Sequence, residues 1–84
     1  MTWVKVANEG QTVTIPAGFT VRFGAPAGTP PGNTLVSVAL AADSYDPPIT
    51  FANITTIVVS NAYFGNDPAP NYVKELDIAL TNSN

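Results

Sequence analysis

The chemistry open to this chain is bounded by its charged residues. It has three cations, Lys5, Arg22 and Lys74, and six anions, Glu9, Asp43, Asp46, Asp67, Glu75 and Asp77. It has no Cys and no His. A disulfide framework, a zinc site built on Cys or His, a Ser-His-Asp or Cys-His nucleophile and a histidine pH switch are therefore excluded. Three scattered cations cannot neutralise a run of phosphates, so no nucleic-acid partner is expected. Paired carboxylates can do acid and base work. Here, however, the acids fall in predicted turns or on the polar side of the last strand, where water keeps them ordinary. A short chain also has little volume for an enclosed pocket of ~300 Å3 or more. No catalytic residue is expected, and the chain is read as a non-enzyme.

What remains is recognition by contact. Sugar rings stack their C–H faces on flat aromatic surfaces while polar neighbours hold the hydroxyls. Trp3, Tyr45, Tyr63 and Tyr72 combine an apolar body with a polar tip, and Asn61, Asn66, Asp67 and Asn71 could supply hydroxyl contacts. Arg22 offers a planar fork for a carboxylate or for sugar hydroxyls. The ligand-binding candidates are Tyr63, Asn66, Asp67, Tyr72, Arg22 and Tyr45. Each has a structural alternative. Arg22 could tie a loop to the sheet through Glu9 or Asp67, a pair worth ~0–1 kcal/mol if exposed. Trp3 could cap an open end of the fold, and Phe19, Phe23, Phe51 and Phe64 are assigned to the core. Asp43-Ser44-Tyr45-Asp46 and Asn66-Asp67 carry hard oxygens, but no EF-hand spacing is present, and Asp or Asn before Pro is ordinary turn chemistry. No metal and no cofactor are expected. Asn53-Ile54-Thr55 fits a glycosylation acceptor, but is read as part of a strand.

The elements that must position these residues show a period of two. Val13 and Ile15 alternate with Thr12 and Thr14, and Phe19, Val21 and Phe23 alternate with Thr20, Arg22 and Gly24. Val36, Val38 and Leu40 alternate with Ser37, Ala39 and Ala41, and Leu76, Ile78 and Leu80 alternate with Glu75, Asp77, Ala79 and Thr81. Each run predicts a strand with one buried face. Ile54 to Ser60 is β-branched almost throughout and predicts a strand covered on both faces. Trp3 to Val6 gives a short first strand. Turns fall at Asn8-Glu9-Gly10, Pro16-Ala17-Gly18 and Asp46-Pro47-Pro48, with longer loops at residues 25–33 and 65–71. Eight prolines spread over the chain leave no helical window of useful propensity. The fold class is all-β: one domain over residues 1–84, a small antiparallel sandwich or partly closed barrel of about six or seven strands.

Trp3, Glu9-Gly10, Val21-Arg22-Phe23-Gly24-Ala25, Asn61-Ala62-Tyr63-Phe64-Gly65-Asn66-Asp67-Pro68 and Lys74 together form a pattern. It resembles a small β-domain of secreted bacterial proteins, often found beside carbohydrate-active catalytic domains. In that domain Tyr stands at the position of Phe23, Gly at that of Asn71, and cysteines follow the lysine. The central segment 26–48 is also longer and richer in proline here. The resemblance implies an accessory module with glycan contact, and a secreted or extracellular location.

Composition adds a second reading. Hydrophobic residues make up 45% of the chain and charged residues only 11%, which argues against disorder and leaves Thr and Asn in places where Lys and Glu usually sit. A small domain without staples has a thin stability margin, so a homo-oligomer or part of a larger assembly is expected. No apolar run approaches the ~20 residues of a membrane helix, and no membrane insertion is expected. No signal segment opens the chain, so export would need a leader already removed or another route. The two readings are a weak carbohydrate-binding, lectin-like module and a self-assembling structural subunit such as a virion, surface-layer or filament component. The partners are accordingly a glycan or identical subunits.

Overall fold

Alternation over residues 75–80 sets the frame. In this computed structural model, which describes residues 2–80, strand β7 (Glu75–Leu80) lies between β1 (Thr2–Asn8) and β3 (Thr20–Ala25), antiparallel to both. The far edge of β3 is shared by two short strands, β4 (Ser44–Tyr45) and β5 (Ile49–Thr50), which complete a five-stranded sheet. Strands β2 (Thr12–Ile15) and β6 (Thr55–Val58) pair antiparallel as a second sheet. The chain is an all-β sandwich, and neither sheet closes into a barrel. Thr81, expected to continue the last strand, lies outside the described residues.

The core forms where the two sheets face each other. Ala7, Val21, Phe23, Leu76 and Ile78 of the large sheet meet Ile15, Ile57 and Val59 from the small-sheet side, with Val13, Phe19, Phe51 and Phe64 packed around them. Each large side chain taken fully out of water here contributes roughly 1.5–3 kcal/mol. The four phenylalanines occupy the role predicted for them.

Three local expectations are overturned. Residues 54–60 are not covered on both faces: β6 spans Thr55–Val58, with Ile57 inward and Thr56 and Val58 exposed, so among the described residues the outer face of the two-stranded sheet is left open. A single helical turn, α1 (Asn61–Phe64), interrupts the all-strand expectation. Its termini explain it: Ser60 Oγ accepts the Tyr63 N–H as N-cap, and Gly65 closes the turn in the left-handed region at φ 76°. The turn delivers Phe64 onto Phe23, stacked at 4.6 Å between ring centroids. Finally, residues 36–40 do not form a strand. Both edges of β3 are already taken, by β7 on one side and by β4 and β5 on the other. Bonds from Gly28 N–H to Leu40 O and from Leu40 N–H to Thr29 O then hold the segment as an irregular loop.

Gly24 allows β4 to approach β3 closely. A Cβ there would meet the Ser44 carbonyl oxygen and come within 2.8 Å of Tyr45 Cδ1. Gly24→Ala should therefore lower unfolding free energy by about 1–3 kcal/mol in urea melts. An unchanged midpoint would show that β4 is not seated on β3 as described.

Candidate functional site

The sheet registers assemble two polar clusters, one on the outer face of the large sheet and one at its end. On the outer face, Lys5, Asp77 and Arg22 form one row across β1, β7 and β3, flanked by Trp3 opposite Ala79 and by Glu75 opposite Gly24, which pairs with Tyr45. Among the described residues no second layer of strands covers this face. Three planar groups take its place. The Arg22 guanidinium lies 3.9 Å from the Tyr45 ring centroid and 4.6 Å from that of Trp3, so it is sandwiched between them. Arg22 Nε donates to Asp77 Oδ2 at 2.9 Å, and Asp77 is only 3% exposed beneath the stack.

This arrangement corrects several sequence expectations. Arg22 pairs with Asp77, not with Glu9 or Asp67. Trp3 does not cap an open end; it stacks on Arg22. The carboxylates of the last strand are not in ordinary solvent. Asp77 Oδ1 and Tyr45 Oη are buried without hydrogen-bond partners among the described residues. Burial, reinforced by the Asp77 carboxylate, holds the Tyr45 phenol well above its usual range. Burial first, then hydrogen bonding with Asp77 and the Asp77 charge, push Glu75 up to about 7, against the opposing pull of Lys5 and Arg22. A proton held on Glu75 relieves the repulsion between its carboxylate and that of Asp77.

The second cluster is organised by Lys74, which is 4% exposed. Its ammonium donates to the carbonyls of Tyr72 at 2.6 Å and Ala69 at 3.2 Å, and pairs with Asp67 Oδ1 at 3.0 Å and Glu9 Oε1 at 3.4 Å. The backbones of the two loops are bonded to each other as well. Glu9 N–H donates to Lys74 O, and Lys74 N–H donates to Glu9 Oε1, both at 2.9 Å. The loop before β7 bends around the ammonium with an Asp67-to-Ala69 side-chain turn and with Asn71 in the left-handed region at φ 72°. That backbone explains why glycine suits position 71. The proline-rich loop closes the other side, through Gly32 N–H to Asn71 O and Asn33 Nδ2 to Asn71 Oδ1.

Between these loops lies an open depression of about 320 Å3, lined by Glu9, Gly32, Asn33, Asp67, Asn71, Tyr72, Val73 and Lys74. Of the predicted binding residues, Asp67 and Tyr72 line it. Arg22 and Tyr45 stand in the outer-face stack. Tyr63 is exposed on α1, edge-on to Phe64, and Asn66 Nδ2 is committed to Asp46 Oδ1 at 2.6 Å. Sequence reasoning missed Lys74 as the organising group and missed Asn33 altogether. Among the described residues no group of three acidic side chains is arranged to hold a metal ion. Asn53, read as part of a strand, is instead exposed just before β6. No helix among the described residues is long and apolar enough to cross a membrane. No family model, no curated protein and no solved structure matches the chain.

Two outcomes follow from these clusters. Because Glu75 holds its proton more tightly folded than at its ordinary value of 4.5, its contribution to stability is full below about 4.5 and declines as pH rises through about 7. Urea melts at pH 5 and pH 8 should show this loss, and Glu75→Gln should flatten it. An unchanged slope in the variant would assign the loss elsewhere. Lys74→Met should cost about 1–3 kcal/mol in the same assay, because Glu9 and Asp67 lose their counter-ion while staying partly solvated. A neutral result would remove Lys74 from its organising role.

Proposed function

We propose that the chain is a non-catalytic binding module that recognises a carbohydrate, or a related polyol, in the depression around Lys74. The observation that carries this reading is the depression's lining. Two amides, two carboxylates and a tyrosine surround an opening of sugar-like size. Lys74 consumes one oxygen of each carboxylate and so fixes how the other is presented. Hydroxyl-rich ligands need such fixed, mixed donors and acceptors, and the modest size and openness of the site suit weak binding reinforced by multivalency. Tyr72 is oriented by its hydroxyl bond to Val38 O at 2.8 Å, which turns its ring into a fixed wall. An extracellular location accords with this reading and with the low charge of the chain.

The test is a glycan array followed by titration of the best ligand. Asn71→Gly removes the side-chain amide while keeping a residue at home at positive φ. It should weaken binding about tenfold, equivalent to about 1.4 kcal/mol, while the circular-dichroism spectrum stays that of the folded parent. An array without a response, or an Asn71→Gly variant that binds as the parent does, would sink the proposal.

A further inference from the structure

Residues 34–40 (Thr-Leu-Val-Ser-Val-Ala-Leu) carry the alternation of a strand, contain no charge, and yet lie outside both sheets. Leu35 is 78% exposed and Val38 68%. The segment is held only at its ends and by one carbonyl: Leu35 N–H donates to Asn33 Oδ1, Leu40 bonds to Gly28 and Thr29, and Val38 O accepts from Tyr72. Among the described residues, the N–H groups of Val36, Ser37, Val38 and Ala39 have no hydrogen-bond partner. Elsewhere the large sheet ends at β1, which among the described residues pairs only with β7 and leaves Val6 out of the register. Beside that open edge, Val4, Val6 and Leu80 are exposed.

An unpaired edge calls for an extended backbone, and an unpaired strand-patterned segment calls for an edge. We propose that residues 35–40 of one copy add as a strand to the open β1 edge of a second copy. The occupant is a second copy because one chain holds both halves and their chemistry matches. The segment is uncharged, and the edge carries only Lys5, so pairing sets no like charges against each other. Val36, Val38 and Leu40 fall on one face of the added strand and cover the strip of Val4 and Leu80. The irregularity between Lys5 and Ala7 confines regular pairing to the Thr2–Lys5 half of β1. The contact is therefore short and its association weak. The two surfaces differ, so the interface is head-to-tail and either propagates or closes into a ring. Its test is separable from that of glycan binding, since Ser37→Pro and Val4→Lys alter neither Asn71 nor the carboxylates; the shared element is Val38 O, which holds Tyr72.

Sedimentation velocity over micromolar to millimolar protein tests it. The parent chain should shift from monomer to larger species with concentration. Ser37→Pro, at an N–H without a partner in the monomer, and Val4→Lys, at an exposed site, should each stay monomeric with an unchanged circular-dichroism spectrum. Mixing the two variants should restore a species of doubled mass, since one copy still offers the segment and the other the edge. A parent that stays monomeric throughout overturns the proposal. So does association that survives either substitution, or a mixture that gives no heterodimer.

Discussion

A buried ammonium group must be surrounded by oxygen, and that requirement at Lys74 fixes more of this molecule than any other single contact. Desolvating a cation is costly unless charge and hydrogen bonds replace the lost water. Here two carboxylates and two backbone carbonyls do so. They come from the β1–β2 turn and from the loop entering β7, so satisfying one charge pins both segments at the end of the large sheet. The proline-rich loop then docks on the second of these through Asn71. The depression is a consequence of this closure, and its polar lining consists largely of groups the ammonium has already oriented.

The outer face of the large sheet is governed by a related economy. A five-stranded sheet opposed by only two strands must protect its centre by other means, and Trp3, Arg22 and Tyr45 do so as three stacked planes. Arg22 suits the task because a guanidinium is flat, weakly hydrated and always charged. Gly24 suits it because Tyr45 lies where a Cβ would be. The cost is borne by Asp77 and Glu75, neighbouring carboxyls on one face of one strand, whose mutual repulsion and burial are relieved by keeping a proton on Glu75. Residues that carry the resemblance noted in the sequence, among them Trp3, Glu9, Arg22, Gly24 and Lys74, thus have structural work of their own.

Low surface charge connects these local solutions to assembly. With 11% charged residues, the molecule has few groups with which to guard an edge. Lys5 and the irregularity beside it are what β1 offers. The uncharged segment at residues 34–40 stays outside the sheets because β3 has no edge left to give it.

The period-two strands at residues 12–15, 20–25 and 75–80, the turns at Asn8-Glu9-Gly10 and Pro16-Ala17-Gly18, the phenylalanine core and the exclusion of Cys and His chemistry were legible in residue type and order. These depend on neighbours along the chain and on residue type, which a sequence displays directly. Only the tertiary structure decided which patterned segments became strands: residues 75–80 found two partners, and residues 36–40 found none. It alone decided that Arg22 meets Asp77, 55 positions away, and that Glu9 and Asp67 converge on Lys74. It also decided that Asp67 and Tyr72 share a depression that Tyr63 does not line. Charge pairing and desolvation depend on distances through space, and local pattern carries no record of them until the sheets assemble.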